Sequence, residues 1–180
     1  MTQDQPSPGG ATSREEQRKA YLEGEWGNPL TTTKRTGPRI LNALQQPFFM
    51  LLPPRGYAVL TTTGRKTGKR RRKCVRAIRD GDKVYLVSLP GRYSSWFRNI
   101  QGQPQVNLRM RGGTFQGTAR EIRDRDEYET ARAIYCGTLT VFDRLSYLNH
   151  RTGLPTSERI RGMLERWFTV CTPLVVELSG

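Results

Sequence analysis

Histidine is almost absent from this chain: His150 is the single one in 180 residues. Cysteine is scarce as well, and Cys74, Cys136 and Cys171 lie far apart. No two of them have the short spacing of a zinc-ligand pair, which argues against a metal centre. An odd number of thiols fits a reducing, cytoplasmic setting better than a disulfide framework. No apolar run reaches the length of a membrane span. The N-terminal stretch from Met1 to Ala11 lacks the apolar core of a secretory signal. Acidic residues are also few: 16 Asp and Glu stand against 30 Lys and Arg, for a formal net charge of +14. Such an excess calls for an acidic partner, whether nucleic acid, a phosphorylated cofactor or an anionic membrane surface. The choice among these rests on where the cations lie.

The chain divides by composition. Residues 1–13 are rich in Pro, Gly, Gln, Ser and Thr and read as a disordered tail. Residues 14–56 read as an N-terminal helical extension. It has one helix capped by Ser13 and a second opened by Pro38, with Ile40, Leu41 and Leu44 at helical spacing. The apolar stretch Leu41 to Leu52, with Lys34, Arg35 and Arg39 nearby, fits packing on the core. It also fits a lid or contact with a membrane surface. Residues 57–180 read as the main domain.

From Tyr57 the apolar period becomes two. Strands are expected over Tyr57–Thr62, Arg72–Arg79 and Lys83–Ser88, the last two joined by the Asp80-Gly81-Asp82 turn. Val106, Leu108 and Met110 alternate with polar residues up to Gly112-Gly113, and Thr114–Ile122 completes a hairpin. Amphipathic helices follow around Tyr128–Tyr135, Val141–Leu148 and Thr156–Phe168, before a last strand over Leu174–Leu178. Short strands joined by tight turns predict an antiparallel barrel with helices, an α+β fold.

Two stretches carry chemistry. Gly64 and Gly68 bracket Arg65, Lys66 and Thr67 between two strands, with Arg71 just beyond. Glycines allow backbone N–H groups to turn toward one point, and neighbouring cations hold an anion there. A phosphate would meet Lys66, Thr67 and a bidentate Arg71. The spacing is not that of a Walker loop, and a basic turn is equally a solvated surface. The second stretch is Ser94 to Ile100. Its serines can cap a short helix, and Trp96 and Asn99 share a face. An aromatic plane beside an amide suits a planar heterocycle, though Trp96 could simply plug the barrel.

Taken in order, these pieces resemble the deazaflavin-dependent nitroreductase family of the flavin/deazaflavin oxidoreductase superfamily, which is common in actinobacteria. The resemblance is carried by Leu60-Thr61-Thr62-Thr63-Gly64-Arg65-Lys66-Thr67-Gly68, Arg71 and Arg79-Asp80-Gly81. It continues through Trp96-x-x-Asn99-Ile100 and Pro104-x-Val106. It implies a split β-barrel of the FMN-binding, pyridoxamine-phosphate-oxidase-like type and a coenzyme, F420, whose phosphate and oligoglutamate tail are acidic. FMN is the alternative cofactor.

By the same resemblance Arg65, Lys66, Thr67, Gly68 and Arg71 would meet the phosphate and tail. Cys74, Val75 and Arg76 would run along the ring system. Val87, Ser88 and Leu89 would line the adjacent edge, and Ser95, Trp96 and Asn99 would close the site. Arg70, Arg72 and Lys73 exceed the family pattern. The implied activity is hydride transfer from reduced F420 to an activated alkene, quinone or nitroaromatic small molecule. Tyr135 and Tyr147 are candidate proton donors, with Tyr128 behind them, and no metal is expected. A homodimer is expected by analogy with other barrels of the superfamily. The competing functions are a non-enzymatic carrier of a lipid, haem or flavin on the same barrel, and nucleic-acid binding by the basic face.

Overall fold

The computed structural model describes residues 47–89, 94–148 and 153–179, with the backbone alone at 149 and 150. The expected tail, the Ser13 and Pro38 helices and the side chain of His150 lie outside these residues. Residues 47–51 form a helical turn.

Strand β1 (Tyr57–Thr63) pairs with β2 (Arg70–Asp80), and β2 turns into β3 (Lys83–Ser88). Helix α1 (Ser95–Gly102) leads to the hairpin β4 (Gln105–Met110) and β5 (Gly113–Glu121). Gly112, at φ 97°, supplies a left-handed turn position that a side chain would resist. Helices α2 (Arg125–Gly137), α3 (Val141–His150) and α4 (Ser157–Val170) precede β6 (Thr172–Leu178). Capping is local and sequence-encoded: Asp124 accepts from Glu127 N at 2.8 Å, and Thr156 accepts from Arg159 N at 3.3 Å.

The strands close in the order β1-β2-β3-β6-β5-β4, with β4 returning to β1 through Leu60↔Leu108. This is the expected split barrel. Two strands start two residues earlier than the sequence reading, while other strand ends shift by one. Strand β2 begins at Arg70 because Thr63 pairs with it across a tight loop. Strand β6 begins ahead of Pro173, which lacks an N–H but still accepts from Ile122 N at 3.2 Å.

Alternation sorts the side chains into layers. Ala58, Leu60, Val75, Ala77, Val84, Leu86, Leu108 and Val176 fill the barrel, whose end is plugged by Phe97 and Ile100 of α1. The opposite faces of β2, β3 and β6 place Ile78, Tyr85, Val87 and Val175 under the helices. There they meet Tyr135, Leu164, Trp167 and Phe168. Burying a side chain such as Leu164 or Phe168 contributes about 1.5–3 kcal/mol. Among the described residues no helix is long and apolar enough to cross a membrane.

The helical layer is pinned to the barrel by one buried ion pair. Arg76 Nε of β2 donates to Asp143 Oδ1 at 2.8 Å, and its other nitrogens donate to the carbonyls of Tyr135 and Thr138. Tyr57 Oη and Thr140 N also donate to Asp143, at 2.9 and 2.7 Å. Phe49 of the helical turn closes this side by edge contacts with Tyr57 and Phe142.

Candidate functional site

The loop over 64–69 is a tight, internally bonded turn. Gly64 N donates to Lys69 O at 2.9 Å, while Thr67 N and Gly68 N donate to Gly64 O at 3.1 and 2.7 Å. Lys69 N reaches the Thr67 hydroxyl at 3.4 Å. Both glycines are required. A Cβ on Gly64 would meet Lys69 O at 3.0 Å and Thr67 Oγ1 at 3.1 Å, and Gly68 sits at φ 64°. The expected backbone nest is therefore corrected: most N–H groups of the loop serve the loop itself. An anion here is held mainly by side chains.

Helix α1 is fastened to this loop by Asn99. Its Nδ2 donates to Thr62 Oγ1 at 3.1 Å, and its Oδ1 accepts from Arg65 N at 3.3 Å. Asn99 and Thr62 are both buried. Ser94 occupies the N-cap of α1, but its side chain makes no capping bond, contrary to the sequence reading. The expected shared face of Trp96 and Asn99 is present, and it looks onto a cleft.

That cleft encloses about 560 Å³ between the loop, the start of β2 and α1. Gly64, Arg65, Lys66, Thr67, Arg71, Arg72 and Lys73 form one wall; Ser95, Trp96 and Asn99 form the other. No carboxylate is among these lining residues. Trp96 serves both roles weighed for it, packing on the barrel core and facing the cleft. Burial pushes the Lys73 ammonium below its ordinary pKa, with Cys74 opposing. The donor set fits a group that is anionic at one end and aromatic at the other. Lys66, Arg65 and Arg71 suit phosphate and carboxylate oxygens, and Trp96 suits a ring.

The structure thus brings together the predicted Arg65, Lys66, Thr67, Arg71, Ser95, Trp96 and Asn99. Gly68 shapes their loop from its tip. Other predicted residues point elsewhere. Val75 belongs to the barrel interior, and Cys74 packs outward near Phe49. The Arg76 guanidinium is engaged with Asp143 on the outer face. Val87 and Leu89 pack on the helical core, and Ser88 is fully buried.

Tyr135 and Tyr147 also belong to that core and do not line the cleft. Burial pushes the Tyr135 phenol up to about 12, with Arg76 opposing, so it is a poor acid at neutral pH. Tyr128 lies in the same layer, 5.1 Å from the Phe168 ring. Arg72 and Lys73 were not among the expected site residues. The signal for Lys73 was the alternation running back from Val75, which places it on the barrel's inner face.

The sequence pattern of the F420H(2)-dependent quinone reductase family matches residues 33–144. Similar solved structures include an F420-H2 dependent reductase at 21% identity and TM-score 0.44, covering 68% of this chain and 95% of that one. A domain-swapped dimer has 21% identity and TM-score 0.47, covering 83% and 100%. A heme storage protein from Vibrio cholerae has 12% identity and TM-score 0.45, covering 76% and 89%. The family match spans well over half of the sequence, and the chain belongs to the F420H(2)-dependent quinone reductases, oxidoreductases that use coenzyme F420.

Proposed function

We propose that the cleft beside Trp96 binds reduced F420 and that the acceptor is a quinone or a similarly electrophilic alkene or nitroaromatic. The observation that carries this reading is the cation wall. Arg65, Lys66, Arg71, Arg72 and Lys73 face Trp96 and Asn99 across one cleft with no acid among its described lining residues. When bound, the coenzyme supplies a hydride from the reduced carbon of its ring.

The chain's own residues bind and orient. Lys66 and Arg65, on the exposed loop, meet the phosphate and acidic tail. Arg71, where β2 leaves the loop, supplies a planar fork for the phosphate. Trp96 presents an aromatic face, and Asn99 holds that face at a fixed distance from the loop. An acceptor stacked within hydride reach gains from this positioning rather than from acid catalysis by a buried group. Ser95 is exposed at the cleft wall, so solvent reaches the site and can supply the proton.

The test is a fluorescence titration of the purified protein with F420, FMN and haem. It is followed by oxidation of reduced F420 with quinones, enones and nitroaromatics. Saturable F420 binding and turnover with a quinone are expected. Binding of FMN or haem without F420 would overturn the cofactor placement, and F420 binding without turnover of any acceptor would favour a carrier.

A further inference from the structure

The register of β2 sorts its cations by depth. Arg71, Lys73, Val75 and Ala77 alternate onto one face, and Val75 and Ala77 lie in the barrel interior. Arg71 stands opposite Thr62, and Lys73 stands opposite the fully buried Leu60. Two residues of strand advance about 7 Å. Arg71 therefore stands beside the loop, while Lys73 stands one step deeper at the mouth of the barrel, and both line the cleft.

Lys73 is half-buried. Among the described residues it has no carboxylate partner, and burial disfavours its charged form. A desolvated ammonium with no carboxylate partner among the described residues costs the fold stability. An electron-rich group that enters the cleft would offset that cost.

We propose that Lys73 is a ring-contacting residue: its ammonium meets the oxygen- and nitrogen-rich edge of the cofactor's ring system, one strand step below the phosphate clamp at Arg71 and Lys66. This rests on the F420 reading of the cleft. Depth supports it, because the clamp lies at the exposed loop, Arg72 is exposed, and Lys73 is the half-buried cation nearest the apolar barrel interior. The opposite wall of the cleft holds Trp96, which packs against the same barrel core.

The experiment saturates wild type, Lys73→Gln, Lys73→Arg and Lys66→Gln with oxidised F420, then records affinity and the visible absorption band of the bound cofactor. A charge beside a conjugated ring moves its band, whereas a charge on a distant phosphate does not. Lys73→Gln is expected to bind about tenfold more weakly, about 1.4 kcal/mol, with a displaced band. Lys73→Arg is expected to keep the wild-type band. Lys66→Gln is expected to lose affinity with the band unchanged. Thermal unfolding of Lys73→Gln should not fall, since it removes a half-buried charge that no carboxylate of the described residues offsets.

A Lys73→Gln band that superimposes on the wild-type band overturns the assignment. So does a folded Lys73→Gln protein that binds no F420, because that marks Lys73 as part of the phosphate clamp. A misfolded Lys73→Gln protein overturns it in favour of a structural lysine. Wild-type protein that binds no F420 overturns the reading of the cleft itself, and this assignment with it.

Discussion

Asn99 holds the two walls of the cleft together through Thr62: its Nδ2 donates to Thr62 Oγ1 at 3.1 Å, and its Oδ1 accepts from Arg65 N at 3.3 Å. One side chain thereby ties helix, strand and basic loop. Asn99→Leu should strand a buried hydroxyl and destabilise the protein by about 1–3 kcal/mol. It should also weaken F420 binding by releasing the loop. Adding Thr62→Val removes the orphaned hydroxyl, so the double variant should regain most of the stability while F420 affinity stays low. Urea unfolding together with a cofactor titration separates the two effects. Recovery of affinity along with stability would show that Asn99 acts on the fold alone.

The loop's N–H groups are largely committed to Gly64, Thr67 and Asn99. Affinity for an anionic cofactor then depends on side-chain charge. Arg71→Ala and Lys66→Ala should each weaken F420 binding about tenfold or more, in line with about 1.5–3 kcal/mol for a hydrogen bond to a charged group. Each variant should also flatten the dependence of affinity on salt, because exposed cations are screened. The check is the dissociation constant measured across a sodium chloride series. An unchanged slope would place the anion elsewhere.

Asp143 is fully buried against Arg76. Burial pushes its carboxyl upward, yet pairing with Arg76 and hydrogen bonds from Thr140 N and Tyr57 together hold it below its ordinary 3.8. A depressed folded-state pKa gives stability that is present above the unfolded value and lost as pH falls through the folded one. Stability should thus decline below about pH 4. Asp143→Asn should remove this part of the acid response. Arg76→Met leaves Asp143 buried and unpaired and should cost about 3–5 kcal/mol at neutral pH. Denaturant melts at stepped pH test both. A Asp143→Asn curve parallel to wild type in acid would mean that other carboxylates govern unfolding.

Most of the barrel could be read from residue order. Val106, Leu108 and Met110 alternate cleanly and fill its interior. The basic loop and the Trp96–Asn99 face were equally legible, because glycine punctuation and helical spacing are local signals. The ring-contact expectations at Cys74, Val75 and Arg76 illustrate what is not local. Adjacent strand residues alternate between faces, so Cys74 and Arg76 turn away from the barrel interior that holds Val75. Arg76 is claimed by Asp143, 67 positions along the chain, a partner that no short-range pattern discloses. The same long-range packing places Tyr135 behind the barrel wall, away from the cleft its position had suggested.

Tyr135 therefore offers a sharp contrast between sequence and structure. It is 1% exposed, packs at a tilt against Phe168 with ring centroids 5.5 Å apart, and lies under the Arg76 guanidinium at 4.3 Å. A phenol held near 12 in this layer neither reaches the cleft nor gives up a proton readily at neutral pH. Tyr135→Phe should keep kcat with a quinone within about twofold, since a lost general acid would cost about 10²–10⁴. Tyr135→Ala should instead destabilise by about 3–5 kcal/mol, the cost typical of emptying a buried aromatic site. Steady-state kinetics with reduced F420, paired with thermal unfolding, distinguish the roles. A drop of a hundredfold in kcat for a fully folded Tyr135→Phe enzyme would restore the tyrosine as proton donor and require the helical layer to open during turnover.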